Sequence, residues 1–157
     1  MKCTSGTIGT PTISYIGDKL DVAFIPFSNQ NDWNTTYRLQ NISYGEYIYR
    51  IAASSEMIAG GSIKRYGIST GITKGSIRST SVTLNVNYGD TNKTIRDVFS
   101  YTPASERGDS GGPVGRQSPK EVYRLLGIHF AGDGTYGYGI KYSNIAAKYS
   151  ISAVTYE

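Results

Sequence analysis

Ser110 lies in the string Gly-Asp-Ser-Gly-Gly-Pro at residues 108–113, which has the residue types that an activated serine needs. A serine hydroxyl attacks a carbonyl only when a base takes its proton and hydrogen-bond donors stabilise the oxyanion. Gly108 and Gly111 allow the backbone to turn sharply, so that the N–H groups of Gly108 and Ser110 can point into one small hole. The spacing predicts Ser110 as a nucleophile beside an oxyanion hole formed by Gly108 and Ser110.

Two other interpretations of this string are open. A Gly-x-Ser-x-Gly string also marks the strand-to-helix elbow of the α/β-hydrolases, but this chain has almost no helical periodicity. The other interpretation is a glycine-rich turn with a surface serine. The longer string, with Asp109 and Pro113, is more specific and resembles the nucleophile loop of the chymotrypsin-like serine proteases. The resemblance implies two β-barrels, with the serine in the second.

The resemblance also implies that the general base is absent from this chain. The catalytic triad of that family runs His, Asp, Ser along the chain, whereas the only histidine here, His129, follows Ser110. Asp21 heads the stretch Asp-Val-Ala-Phe-Ile, which is similar to the family's stretch that carries the triad aspartate. Its implied role is to orient the base and stabilise the imidazolium. Asp18 competes for that role from a turn, and an ordinary strand-edge aspartate is the plain alternative.

His129 lies in Gly-Ile-His-Phe-Ala-Gly, residues 127–132, about twenty residues after the serine. This segment resembles the pocket strand of the glutamyl endopeptidases and the viral 3C-type proteases. The resemblance implies that His129 and Ser105 bind the side chain of a Glu or Gln before the cut. It also makes Phe130, Ala131 and Gly132 part of the pocket wall. The alternatives are a packed strand histidine bonded to the backbone or a tyrosine, and a histidine that serves as the base.

Asp109 has an implied role of its own, which is to hold the oxyanion loop in shape. In the chymotrypsin branch of the family the partner of this carboxylate is a newly cut N-terminus. No such terminus is identifiable in this sequence, so the partner of Asp109 stays open.

The elements that must position these residues are short strands. The chain has 157 residues with 19 Gly and 14 Tyr, a composition typical of a turn-rich β protein. Alternation is clearest at residues 81–88. Asn144 is the expected first residue of a short C-terminal helix over 144–149. The predicted strands cover residues 12–16, 21–27, 46–53, 62–66, 81–88, 94–101, 122–131 and 136–142.

The expected fold is therefore all-β, with a complete chymotrypsin-like second barrel of about six antiparallel strands and the last strands of a truncated first barrel. The polar stretch at residues 28–34 leads into the connection between the barrels. We expect the end of the first barrel at residues 1–33, the linker at 34–45 and the second barrel at 46–157.

Several classes of partner have little support in the sequence. Cys3 and His129 are the only cysteine and histidine, so no metal-ligand cluster and no cofactor is expected, and Cys3 is read as a free thiol. No stretch approaches a membrane span, and the net charge of +4 is scattered, which disfavours membrane and nucleic-acid partners. Sequons at Asn34, Asn41 and Asn92 fit an extracellular protein whose signal segment is not in this chain, although chance matches are equally expected.

The function expected from these residues is that of a serine endopeptidase acting on polypeptides through an acyl-enzyme on Ser110. The chain alone is expected to be inactive, because a separate N-terminal fragment must carry the catalytic histidine. The alternative is a catalytically inactive protease-like domain with a binding or structural role.

Overall fold

Six antiparallel strands close into a ring that carries residues 108–113, the candidate nucleophile loop. The computed structural model describes residues 10–26, 47–117, 123–153 and 155. The predicted linker at 34–45, its polar approach at 28–34, and Cys3 lie outside those residues. The strands are β1 (Ile13–Gly17), β2 (Leu20–Phe24), β3 (Ile48–Ile51), β4 (Ser62–Gly67), β5 (Gly71–Asn87), β6 (Asn92–Tyr101), β7 (Pro113–Gln117), β8 (Tyr123–Gly132) and β9 (Gly137–Lys141), followed by the helix α1 (Tyr142–Tyr149).

The ring runs β4–β5–β6–β9–β8–β7 and returns to β4, with every pair antiparallel. Strand β3 adds to the outside of β8 in a parallel pair. The hairpin β1–β2 forms a separate two-stranded sheet. The expectation of a closed all-β barrel is confirmed, whereas the parallel pairing of β3 was not foreseen.

Strand β5 is longer than predicted, because its first ten residues also belong to the sheet. The pairing of β5 with β6 shifts register between Ile77 and Ser79, between Ser79 and Val82, and between Val82 and Leu84. Such bulges bend a long strand around a barrel, and each one changes which side chains face inward. The sequence itself alternates over 81–88 and not over 71–80, so only the second half of the strand was predicted.

Part of the barrel interior is filled by aromatic rings of β6 that pack against glycines of β9. Phe99 pairs with Gly139, and Tyr101 pairs with Gly137. A Cβ at Gly137 would lie 2.7 Å from the Tyr101 ring, so only glycine leaves room for it. The alternation of glycine with larger residues in β9 thus fixes the Tyr101 ring inside the barrel. The buried residues of this cluster are Ile63, Ile77, Phe99, Tyr101, Val114 and Leu126.

A second core joins the β1–β2 hairpin and the helix α1 to the barrel. Its buried members are Leu20, Ile95, Val98, Ile140 and Ile145. Phe24 of β2 meets Tyr149 of α1 edge to face, with ring centroids 4.8 Å apart. These contacts hold the hairpin against the barrel.

The predicted start of the helix is wrong by two residues. Helix α1 begins at Tyr142 with Lys141 as N-cap, and Lys141 makes no side-chain capping bond. Asn144 lies inside the first turn, where its Nδ2 donates to the Asp97 backbone carbonyl and to Asp97 Oδ2. The Asn144 side chain therefore bonds to Asp97 of β6 and does not cap the helix.

Candidate active site

The nucleophile loop lies between β6 and β7 and is tied to β8 by backbone hydrogen bonds. The Gly111 N–H donates to the His129 carbonyl at 2.9 Å, and the His129 N–H donates to the Gly112 carbonyl at 2.8 Å. Gly108 has φ 101° and Gly111 has φ 88°, which are conformations that glycine adopts without steric cost. These glycines turn the backbone on either side of Ser110.

The Ser110 side chain is exposed at the tip of this loop. Its Oγ donates to the Phe130 carbonyl at 3.2 Å. Within the described part of the chain, the N–H groups of Gly108 and Ser110 donate to no other residue. Both N–H groups can therefore donate to a ligand, and their role as an oxyanion hole stays a prediction.

Asp109 is buried, and its carboxylate accepts hydrogen bonds from the β4–β5 turn and from Glu106 and pairs with Arg65. Its Oδ1 accepts the Ser69 and Thr70 N–H groups at 3.0 and 3.1 Å, and its Oδ2 accepts the Glu106 N–H at 3.1 Å. Arg65 Nη2 lies 3.2 Å from Oδ2, and neither side chain is exposed. Burial raises the pKa of Asp109, but the hydrogen bonds led by Thr70 and Glu106 outweigh it and hold the pKa at about 2. The partner left open by the sequence is therefore Arg65 with the turn between β4 and β5.

Asp21 and Ser110 line one cleft of about 590 Å³, Asp21 from β2 and Ser110 from the nucleophile loop. Asp21 Oδ2 accepts a hydrogen bond from the Tyr88 hydroxyl at 2.5 Å. Burial and, next, this hydrogen bond hold the pKa of Tyr88 above its usual range, so Tyr88 keeps its proton. One carboxylate oxygen is thereby occupied, and the other can accept a second donor. The competing Asp18 occupies the β1–β2 turn, with φ 48°.

His129 is buried on β8, and its imidazole turns into the barrel. Its Nδ1 lies 2.7 Å from the Tyr101 hydroxyl. Burial and then the Arg65 charge lower the pKa of His129 to about 4, against opposing effects of Asp109 and the Tyr138 backbone. Burial raises the pKa of Tyr101 to about 12, so Tyr101 keeps its proton, and its hydroxyl can donate to Nδ1 or accept from it according to the tautomer of the ring. At neutral pH His129 is therefore uncharged and carries one ring N–H.

The remaining predicted pocket residues lie at the end of β8. Ser105 is half-buried, and a Cβ added at Gly132 would overlap its Oγ. Ser105 and Gly132 are thus in close contact, three residues from His129. Phe130 packs against the second core, and Ala131 pairs with Tyr138 of β9. The structure thus places Ser105 beside Gly132 at the end of β8, and the role of these residues in binding stays a prediction.

Sequence reasoning missed three residues of this region, Arg65, Tyr88 and Tyr101. Each reaches its partner across 28 to 67 residues of chain. No local pattern marks such a contact, although an arginine at an inward strand position signals a buried partner. Among the described residues, no group of His, Cys, Asp and Glu could hold a metal ion. No helix in the same ranges is long and apolar enough to cross a membrane.

The backbone resembles those of solved serine proteases. Thermobifida fusca protease A is 22% identical, with a TM-score of 0.77 over 94% of this chain and 74% of that chain. A glutamic acid specific serine protease, described as using a histidine triad in substrate binding, is 20% identical, with a TM-score of 0.75 over 94% and 74%. Cellulomonas bogoriensis chymotrypsin is 21% identical, with a TM-score of 0.73 over 90% and 72%. No protein-family model and no curated protein matches the chain. The chain therefore has the fold of the chymotrypsin-like serine proteases.

Proposed function

We propose that this chain is the nucleophile-bearing part of a serine endopeptidase. The observation that carries the proposal is the cleft lined by both the Ser110 hydroxyl and the Asp21 carboxylate. Ser110 Oγ attacks the scissile carbonyl carbon and its proton passes to a base, while the Gly108 and Ser110 N–H groups stabilise the oxyanion. The base returns the proton to the leaving amine, and water then hydrolyses the ester on Ser110.

The base in this proposal is an imidazole supplied by a second polypeptide. His129 is the only histidine of the sequence, and Tyr101 engages its ring inside the barrel. The β1–β2 hairpin supports docking of more chain, because it is a separate two-stranded sheet with Ile13 and Ile16 about half exposed. An N-terminal fragment that extends this sheet would cover those side chains and bring a histidine to Asp21. An extracellular location is part of the same proposal.

We further propose that the substrate residue before the cut is Glu or Gln. Both side chains end in an oxygen that accepts a hydrogen bond, and a buried oxygen needs donors to replace the water it loses. In this proposal the neutral His129 donates from a ring N–H, and the Ser105 hydroxyl is a second donor. The glutamic acid specific neighbour is described as using three histidines. This chain has one histidine, and the group that hydrogen-bonds to its ring is the Tyr101 hydroxyl.

Chemical rescue tests the catalytic proposal on the chain by itself. We expect free imidazole to enter the cleft beside Asp21 and to act as base, so that a fluorophosphonate probe labels Ser110 at a rate that rises with imidazole concentration. Peptide mass spectrometry locates the adduct. Ser110→Ala is the labelling control, and Asp21→Asn should weaken the rescue by tenfold or more, because the imidazolium loses its carboxylate partner.

Two results would contradict this mechanism. If the folded chain stays unlabelled at every imidazole concentration, the domain is a protease-shaped binding module. If labelling is rapid without imidazole, the chain already holds its own base, and the role given to a second polypeptide is wrong.

The side-chain preference is tested by binding rather than by turnover. Matched N-acetylated peptides that end in Glu, Gln, Phe or Lys are titrated into the chain and followed by NMR. We expect the Glu and Gln peptides to bind at least tenfold more tightly than the other two. Equal affinities for all four would contradict the preference.

A further inference from the structure

Tyr88 lies in the turn that joins β5 to β6, and its backbone is held there by short-range hydrogen bonds. Its N–H donates to the Thr91 carbonyl at 2.9 Å. Gly89 follows with φ 87°, and its N–H donates to Asn87 Oδ1 at 2.7 Å. Asn87 pairs with Asn92 at the end of the two strands. The backbone that carries the Tyr88 side chain therefore has a defined place.

The strands that lead into this turn pack against the β1–β2 hairpin, which carries Asp21. The Arg96 N–H of β6 donates to the Asp18 carbonyl, and Asp18 forms an isolated bridge with Ile95. Ile95 is fully buried in the second core. Partly buried side chains of both elements pack on that core, namely Val82, Leu84 and Val86 of β5 and Tyr15, Val22 and Phe24 of the hairpin. The separation of Tyr88 from Asp21 is thus set by contacts other than their own hydrogen bond.

Asp21 meets the Tyr88 hydroxyl in the cleft that Ser110 also lines, and the hydroxyl donates to Asp21 Oδ2 at 2.5 Å. Burial, and next the bond to Asp21, hold the pKa of Tyr88 above its usual range, so the hydroxyl keeps its proton at neutral and mildly alkaline pH. Within the described residues no other group donates to this carboxylate. A carboxylate that is held at one oxygen keeps its plane, and its second oxygen then accepts a donor from a fixed direction.

The contact is poorly explained as a support for the fold. Tyr88 and Asp21 are only half-buried, so water competes for both groups and the bond adds little to the free energy of unfolding. The elements that carry them are already joined by apolar contacts. A hydroxyl that reaches across 67 residues to the carboxylate in the cleft of Ser110 is better explained by what that carboxylate binds.

We propose that Tyr88 is a positioning residue that holds the Asp21 carboxylate so that its second oxygen accepts the N–H of the incoming imidazole. The imidazole then keeps the lone pair of its other nitrogen for the Ser110 proton, and the Asp21 charge stabilises the imidazolium that forms. This inference rests on the proposed function and deepens it, because this chain then prepares the place of the base before the second polypeptide binds.

The test compares two small bases as rescuing agents in the labelling of Ser110 by a fluorophosphonate probe. Imidazole has an N–H that can donate to Asp21 while its other nitrogen takes the proton. 1-Methylimidazole is a base of similar strength, but its neutral form has no N–H. In the unmodified chain we expect imidazole to act at least about tenfold faster, because hydrogen bonds to a charged acceptor are the stronger ones. The readout is the ratio of the two rate constants.

Three variants assign this ratio to the Tyr88 hydroxyl. Tyr88→Phe removes the hydroxyl and keeps the ring, and it should lower the ratio by about fivefold, because the carboxylate loses its fixed orientation. Asp21→Ala should bring the ratio to about one, because no acceptor remains for the N–H. Tyr138→Phe is the matched control, since the Tyr138 hydroxyl donates to Asp133 Oδ2 at 2.6 Å in the same kind of bond. Tyr138 and Asp133 lie outside the described lining of the cleft, so this control should leave the ratio unchanged.

The ratio separates positioning from folding. Both bases are measured on one sample, so partial unfolding of a variant lowers both rates together and leaves their ratio unchanged. An unchanged ratio in Tyr88→Phe, or an equal fall in Tyr138→Phe, would overturn the role of Tyr88 and leave the proposed function standing. A faster reaction of Tyr88→Phe with imidazole would also overturn it, because the hydroxyl would then block the carboxylate. If imidazole rescues neither the unmodified chain nor any variant, the proposed function fails and the role of Tyr88 fails with it.

Discussion

Protonation of His129 should destabilise this chain at mildly acidic pH. The folded-state pKa of about 4 lies well below the usual value of 6.5, because the ring is buried and lies near Arg65. Between these two values the unfolded chain binds a proton that the folded chain does not bind, so the free energy of unfolding falls as the pH falls from 6.5 to 4. The contribution is fully present above pH 6.5 and is lost as the pH falls to about 4.

The magnitude follows from the size of the shift. Each unit of pKa difference corresponds to about 1.4 kcal/mol, so His129 should account for a loss of about 3 kcal/mol between pH 7 and pH 4. Carboxylates also titrate near the lower end of this range. The matched variant His129→Gln removes the imidazole while leaving an acceptor for Tyr101, and the carboxylate contribution is common to both proteins.

The assay is urea unfolding at several pH values between 4 and 7, for the unmodified chain and for His129→Gln. We expect the difference in free energy of unfolding between the two proteins to change by about 3 kcal/mol across this range. The NMR titration of His129 should give a midpoint near pH 4 in the folded state. A midpoint near 6.5, or parallel pH profiles for the two proteins, would refute the reasoning.

Two further predictions concern the loop and the pocket wall. Asp109→Asn should lower the free energy of unfolding at pH 7 by about 3–5 kcal/mol, because it leaves the Arg65 charge buried without its counter-ion. Urea unfolding measures this, and a loss below about 1 kcal/mol would show that the ion pair is not desolvated. Gly132→Ala should cost about 0.5–1.5 kcal/mol, because the new Cβ overlaps Ser105 Oγ and forces the Ser105 side chain out of its rotamer. Adding Ser105→Ala should recover most of that loss, and purely additive losses in the double variant would contradict the contact.

Much of the fold could be predicted from the sequence where the signal is local. The turn at Gly17 and Asp18 joins β1 to β2 as expected, and the alternation over residues 81–88 marks half of β5. The second hairpin, β8–β9, lies within about a residue of the predicted bounds. Strand β7 was missed because its five residues directly follow the glycine-rich loop and show no alternation of their own.

The candidate site shows the same division. Gly108 and Gly111 predict a sharp turn from their residue type alone, and both adopt positive φ angles. The hydrogen-bond partners of the charged residues could not be predicted. Tyr88 reaches Asp21 across 67 positions of the chain, and Thr70 reaches Asp109 across 39. Such pairs depend on how the barrel closes.

The sequence by itself determined the class of fold and the sharp turns at Gly108 and Gly111, because turns and strand alternation depend on residues near one another in the chain. Only the tertiary structure decided that Arg65 pairs with Asp109, and that Arg65 and His129 both lie near the Tyr101 ring. The physical reason is that closing the ring brings β4, β6 and β8 around one interior. Burial there strengthens electrostatic interactions and leaves each polar group dependent on its nearest partner.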